Sequence, residues 1–138
     1  MLLRATAVLA LMLASVARAQ APPVPNRTPL AVIPVEPAKE VSRVVTNRVD
    51  FAPGQVMPMH KHTVPVICFV SKGNFLTKIG DEDERVAAFG TVTYEPPGVV
   101  VSYFKNASAS APAQLQCAAL AGYHDTVLNI MLDQPEGR

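Results

Sequence analysis

The sequence predicts an all-β domain folded as a sandwich or barrel. Short β-rich runs recur at regular spacing from Val41 onward, and turn residues such as Pro53-Gly54 and Pro96-Pro97-Gly98 separate them. No helical periodicity of useful length occurs before the last run, residues 126–132, which fits either a terminal strand or a short helix. The predicted strands cover residues 43–51, 55–62, 64–71, 75–79, 85–89, 91–95, 99–104 and 114–120.

The turn Lys72-Gly73-Asn74 is predicted to join two of these strands as a hairpin. Glycine at its centre suits the positive φ that a tight hairpin turn requires. Residues 75–79 are therefore expected to pair with residues 64–71.

The chain is predicted to have three segments, of which the first has the composition of a signal peptide. Arg4, an apolar stretch and the small-residue pattern Ala17-Arg18-Ala19 are typical of a secretory signal peptide, which we assign to residues 1–19. Only thirteen residues separate Arg4 from Arg18, fewer than the roughly 20 that span a bilayer. We therefore predict an exported protein, periplasmic or secreted, with no membrane contact after cleavage and a β-barrel domain over residues 41–138.

Residues 20–40 are rich in proline. Proline lacks a backbone donor and cannot lie inside a sheet ladder, so this segment is predicted to be an extended arm or linker. Its Leu30, Val32, Ile33 and Val35 are apolar enough to dock on the domain or on a neighbouring subunit. A mobile spacer explains the same composition equally well.

The charge balance argues against a nucleic-acid partner. The chain has 12 Lys and Arg against 11 Asp and Glu, and loss of Arg4 and Arg18 with the signal peptide would leave ten against eleven. Proteins that bind nucleic acid normally carry a basic patch or stripe, and none is visible in this sequence.

Cys68 and Cys117 are the only cysteines in the chain. An oxidising compartment permits a disulfide between them, but two cysteines do not make a disulfide scaffold. The sequence does not fix the distance between the two residues, so their pairing stays open.

The segment His60-Lys61-His62 carries the clearest chemical signal. Side chains alternate along a strand with a period of two, so both imidazoles lie on one face. Neutral imidazole is a common ligand of transition metals. The pair predicts a metal site, although the same histidines can also be hydrogen-bonded in a metal-free pocket.

Two spaced motifs resemble those of the cupin superfamily. Gly54, five residues and His60-Lys61-His62 match the first motif, while Gly90, five residues and Pro96-x-Gly98 match the opening of the second. The resemblance covers roughly residues 45–121. It implies a small double-sheet jelly-roll barrel (a double-stranded β-helix) that forms a homodimer and has its site inside the barrel.

The resemblance also implies metal ligands that this sequence lacks. A metal-binding cupin generally uses two histidines and a glutamate from the first motif, with a further histidine from the second. The glutamate position falls on Val66, and the second-motif histidine falls on Val101 or Ser102, depending on the direction of counting. Half of the usual ligand set is missing, so an intact four-ligand site is excluded.

Cys68 is the candidate for a third donor. It has the same strand parity as Val66, so it should face the barrel interior if Val66 does. A thiolate with two imidazoles favours zinc or copper. The predicted metal ligands are therefore His60, His62 and Cys68, and the predicted cofactor is a divalent or copper-type transition metal.

Other side chains near the motifs receive less specific roles. Met57 and Met59 are soft ligands suited to copper, but parity places them on the face opposite the histidines unless Pro58 disturbs the alternation. Glu95 precedes the Pro-Pro-Gly break and is expected on the surface at a strand end, with a polar role in the lining of the cavity as the alternative. Nothing in the sequence requires His124, which lies beyond the matched region, at the barrel mouth.

Two classes of function stay open. The first is an exported cupin-domain protein that binds a metal ion or a small ligand inside the barrel through His60 and His62. The alternative is a metal-free, non-catalytic ligand-binding or structural module that acts as a homodimer. The sequence shows no Ser-His-Asp pattern, phosphate loop or carboxylate pair with a predictable shared pocket, so no catalytic residue is predicted.

Overall fold

The structure confirms the all-β prediction. The computed structural model describes residues 25–132, and every regular element in this range is a β-strand. No helical segment there has the length and hydropathy of a membrane span. The predicted signal peptide, residues 1–19, lies outside the described residues. The strands are β1 (Arg43–Phe51), β2 (Val56–Met57), β3 (His60–His62), β4 (Val66–Lys72), β5 (Phe75–Ile79), β6 (Arg85–Ala87), β7 (Val92–Glu95), β8 (Val100–Asn106), β9 (Ala113–Ala121) and β10 (Asn129–Met131).

These strands form two antiparallel sheets. The four-stranded sheet has the order β1-β9-β4-β7. The larger sheet has the order β10-β3-β8-β5-β6, and β2 pairs in addition with β8. Strands that follow one another in the chain often belong to different sheets, as in the double-sheet jelly rolls that the sequence resemblance implies.

Three phenylalanines fill one part of the space between the sheets. Phe75 is fully buried and packs edge-on against Phe51 and Phe104, with ring centroids 5.0 and 5.1 Å apart. Such contacts add to the hydrophobic gain from burying the rings. The remaining buried members of this cluster are Val70, Ile79, Ala87, Val101, Ala113 and Leu115.

The turn at Gly73 does not form the predicted hairpin. Gly73 has the expected positive φ of 72°, but β4 pairs with β7 and β9 whereas β5 pairs with β6 and β8. The chain therefore crosses from one sheet to the other at this turn, which brings Phe75 into the core. A Cβ atom on Gly73 would lie 2.9 Å from the Cβ of Ala113, so this close crossing also requires glycine.

The proline-rich arm contacts the outer face of the four-stranded sheet. Leu30 and Ile33 line a surface groove together with Phe69 of β4 and Val92 of β7. Val32 lies between them and is 93% exposed. Leu30 and Ile33 therefore lie beside the domain, and the role of the arm stays a prediction.

The last run of the described chain contains a strand, β10, rather than a helix. It pairs antiparallel with β3, so that Asn129 lies opposite His62 and Met131 lies opposite His60. The C-terminal segment thus borders the strand that carries both histidines.

Candidate metal centre

The two histidines face the same cavity from β3. This strand lies between β8 and β10, and His60 is opposite Val101 of β8. The imidazole centroids are 5.1 Å apart and the ring planes meet at 84°. His60 is 5% exposed, so its ring lies almost entirely inside the protein.

Backbone carbonyls orient each imidazole through its Nδ1 atom. Nδ1 of His60 is 2.8 Å from the carbonyl oxygen of Pro58, and Nδ1 of His62 is 3.1 Å from that of Leu128. A carbonyl oxygen can only accept a hydrogen bond, so each Nδ1 carries the proton and donates it. In the neutral ring, Nε2 then keeps a lone pair directed into the cavity, as in metal-ligating histidines.

Glu95, at the end of β7, brings a carboxylate to the same point. Its Oε2 atom is 2.8 Å from Nε2 of His62 and 3.5 Å from Nε2 of His60. The three donor atoms, one from each residue, all lie within 4.8 Å of one another. Glu95 is only 3% exposed, so the expected surface role at a strand end is wrong.

The sheet register explains why Glu95 points inward. On β7, Glu95 has the same parity as Thr93, and both are buried while Tyr94 between them is not. Glu95 lies directly opposite Val66 of β4. The first cupin motif would place a glutamate at Val66 on β4. Here the carboxylate comes instead from β7, the strand that pairs with β4.

Mutual interaction shifts the pKa values of this cluster. Burial alone would raise the pKa of the Glu95 carboxyl, but hydrogen bonding to His60 and His62 outweighs it and holds that pKa below 4.5. Burial alone would lower the pKa of His60, but hydrogen bonding to Glu95 and to the Pro58 carbonyl holds it above 6.5. The carboxylate therefore favours a positive charge between the rings.

That positive charge can be a proton or a metal ion. A ring that carries a proton on Nε2 donates it to Oε2 of Glu95. With both rings in the neutral Nδ1–H form, two lone pairs meet the carboxylate instead, and this buried oxygen has no hydrogen-bond donor. Leaving such a buried charged group unpaired is costly. A divalent cation among the three donors would satisfy all of them at once, so the residues present fit a metal.

Cys68 does not provide the predicted thiolate. It faces Cys117 across the β4–β9 ladder, and the two sulfurs form a disulfide. Sγ of Cys68 is 3.7 Å from Oε1 of Glu95, but a disulfide sulfur has no proton to donate and no negative charge for a metal. In this structure Cys68 is part of the cavity wall, and Glu95 is the third donor instead.

The other candidate positions also have clear places. Val101 is fully buried in the core beside His60, and Ser102 lines a separate groove, so neither candidate for the second-motif histidine position adds a donor to the cluster. Met57 lines the cavity, contrary to the parity argument, because Pro58 and Met59 separate β2 from β3 and interrupt the alternation. His124 is exposed and contacts the ring of Tyr123.

The three donors open onto a cavity of about 200 Å³. Asn47 and Asn129 supply polar groups to its lining, and the Cys68–Cys117 disulfide forms part of the wall. The rest of the wall is apolar and comprises Val49, Phe51, Met57, Val66, Phe104, Leu115, Ala119 and Leu128. A small molecule in this cavity would lie next to the donor cluster.

Two solved structures resemble this chain in both fold and sequence. An oxalate oxidase in complex with the substrate analogue glycolate is 26% identical, with 64% of this chain and 46% of that chain covered and a TM-score of 0.56. The protein TT1209 from Thermus thermophilus is 26% identical, with 59% and 77% covered and a TM-score of 0.50. This chain thus spans less than half the length of the oxalate oxidase.

A third similar structure supports the fold alone. It is an RmlC-like cupin family protein with a double-stranded β-helix fold from Methanocaldococcus jannaschii, 21% identical, with 56% of this chain and 69% of that chain covered and a TM-score of 0.51. No curated protein matches this chain. The profile of the family described as the cupin domain matches residues 47–119, which is more than half of the 138 residues. The chain therefore belongs to the cupin-domain family.

Proposed function

We propose that this protein binds a divalent transition metal through His60, His62 and Glu95. The observation that carries the proposal is the convergence of two carbonyl-oriented imidazoles on one buried carboxylate, whose Oε2 atom has no hydrogen-bond donor when both rings are neutral. Two histidines and one carboxylate are the donor set of many non-haem iron(II) sites and also suit zinc and manganese. Without a free thiolate, the set favours these metals over copper(I).

A metal held this way would offer Lewis acidity and open coordination positions. Three protein ligands leave positions free for a small molecule, and the cavity of about 200 Å³ adjoins them. The similar oxalate oxidase structure holds glycolate, which supports a small-molecule ligand for this barrel as well. The protein's own residues would orient the ligand and keep bulk water from the metal.

Metal content measured after loading and exhaustive dialysis tests this proposal. The wild-type protein should retain about one equivalent, and the variant His60→Ala/His62→Ala should retain almost none. His124→Ala serves as the matched control because it removes an exposed histidine outside the cluster. Equal metal content in the wild type and the double variant would contradict the proposal.

A metal-free ligand-binding module is the second candidate function. The largely apolar wall of the cavity favours it, since such pockets commonly hold small organic molecules. Native mass spectrometry of freshly purified protein distinguishes the candidates. A retained organic mass together with the absence of metal would favour the second candidate, whereas a metal adduct would favour the first.

We also propose that the protein is exported and acts as a homodimer. The Cys68–Cys117 disulfide supports export, because disulfides persist mainly in oxidising compartments. Cell fractionation should find the protein outside the cytoplasm and shortened at its N-terminus. Sedimentation equilibrium should give twice the chain mass, and deletion of residues 21–38 tests whether the arm contributes to the dimer.

A further inference from the structure

The described part of the cavity lining has a marked charge pattern, with one carboxylate and no lysine or arginine. Among the described residues that border it, Glu95 is the only acidic one, and none is Lys or Arg. Lys61 lies between the two histidines on β3, so the strand alternation turns it to the opposite face. When both imidazoles bind the metal as neutral ligands, the metal is the source of positive charge among the described residues and groups that border this cavity.

The net charge of the metal site limits the charge that a bound ligand can carry. A divalent metal and the Glu95 carboxylate together leave one net positive charge, and one monoanionic ligand neutralises it. A dianion would leave an uncompensated negative charge next to the buried apolar wall, with no cation nearby to offset the lost hydration.

The wall also fixes the character of the rest of the ligand. Apolar side chains such as Val49, Leu115 and Leu128 line the same cavity as the donors, together with the small side chain of Ala119. An apolar protein cavity of about 150 Å³ is large enough to bind benzene. The cavity of about 200 Å³ therefore has room for an apolar group of that size.

From these observations, and resting on the proposed metal site, we infer that the ligand of this cavity is a small chelating monoanion with an apolar body. A 2-hydroxy or 2-oxo monocarboxylate carrying an aryl or branched alkyl group has this chemistry. Two oxygen donors bind the metal, the single charge balances the site, and the apolar group lies against the wall. A small dicarboxylate such as oxalate matches neither the charge nor the wall.

Three acids test this inference on the cobalt(II)-loaded protein at pH 7.5. Glycolate consists of the chelating 2-hydroxycarboxylate group alone, and mandelate is the same group with a phenyl ring. Oxalate also chelates through two oxygens, but it is a dianion without an apolar group. Dissociation constants are read from the change in the visible cobalt spectrum, and ultrafiltration checks that cobalt stays on the protein. Mandelate should bind at least about tenfold more tightly than glycolate, because its ring is buried. Oxalate should bind more weakly than mandelate.

Two variants assign the preference to named residues. Ala119→Leu fills the space for the ring and should remove most of the advantage of mandelate over glycolate. Asn47→Lys places a cation in the lining from an exposed position on β1 and should strengthen oxalate binding relative to mandelate. Cobalt content and unfolding temperature are measured for each variant, so that a folding defect is recognised.

The outcomes separate this inference from the proposed function. Oxalate binding as tight as mandelate binding, or equal binding of mandelate and glycolate, would overturn the ligand class while leaving the metal site standing. A wild-type protein that binds no cobalt would overturn the metal site and, with it, this inference.

Discussion

Glu95 lies directly opposite Val66 in the register of β7 and β4, and its carboxylate reaches both imidazoles of the first cupin motif. Val66 occupies the position where the resemblance would place a glutamate, and it has no donor atom. The carboxylate comes instead from β7, which pairs with β4. The site thus has two histidines and one carboxylate, although one of the three comes from outside the motif.

The metal-free protein should be most stable in mildly acidic solution. Glu95 has a lowered pKa, so its contribution is present above about 4.5 and is lost as the pH falls through its folded pKa. His60 has a raised pKa, so its contribution is complete below about 6.5 and is lost as the pH rises through its folded pKa. Thermal unfolding with a chelator present, measured across this range, should show a maximum between the two values. Glu95→Gln should flatten the curve, and a stability that keeps rising above pH 7 in the wild type would contradict this account.

With metal bound, the stability of the protein should rise rather than fall as the pH increases from 5.5 to 7.5. Imidazole binds a metal in its neutral form and the pKa of His60 is raised, so metal affinity should fall by at least about tenfold between pH 7.5 and pH 5.5. A free metal concentration of about 100 times the Kd adds roughly 2.7 kcal/mol to the free energy of unfolding. The rise in unfolding temperature caused by zinc should therefore be large at pH 7.5 and small at pH 5.5. An equal rise at both values would exclude imidazole ligands, and His124→Ala should behave as the wild type.

The Cys68–Cys117 disulfide should contribute to stability without serving as a metal donor. It links two cysteines that are 49 residues apart in sequence, and closing a loop of this length in the unfolded chain contributes about 2–4 kcal/mol. Urea unfolding of Cys68→Ala/Cys117→Ala should show a loss of this size, and reduction of the wild type should reproduce most of it. The double variant should keep one equivalent of metal when folded. Loss of metal from a folded double variant would point back to a sulfur ligand.

Val101→His should restore a fourth donor. Val101 is opposite His60 in the β3–β8 ladder, and paired residues of neighbouring strands point to the same side of a sheet. The imidazole would replace a fully buried valine, so the metal-free variant should lose about 1–3 kcal/mol of stability. Competition with a chromophoric chelator should show metal affinity at least about tenfold above that of the wild type. Val70→His is the control, since Val70 is an equally buried core valine that pairs with Leu115 rather than with a histidine. Equal gains in both variants would contradict the assigned geometry.

The sequence was sufficient for features that depend on local patterns. Strand alternation placed His60 and His62 on one face, and the spacing of glycines and prolines identified the barrel. Features that depend on pairing between distant strands were not accessible. The partner of Glu95 on β4 and the partner of Cys68 on β9 follow from the sheet register, which no local pattern specifies.

One local prediction failed, and one exception that the sequence allowed applies. The turn at Gly73 has the backbone angle of a hairpin but leads into the other sheet, where Phe75 is fully buried. Parity placed Met57 opposite the histidines unless Pro58 disturbed the alternation, and the break between β2 and β3 at Pro58 does so. The inward position of Glu95 had one signal, its parity with Thr93 in a short strand.

X-ray absorption spectroscopy of the zinc-loaded protein tests the central claim most directly, because it identifies the atoms bound to the metal. The proposed site predicts two imidazole ligands and oxygen donors at about 2.0–2.2 Å, and replacement of Glu95 by glutamine should alter the oxygen shell while both imidazoles remain. A sulfur shell at about 2.3 Å, or fewer than two imidazoles, would contradict the His60–His62–Glu95 site.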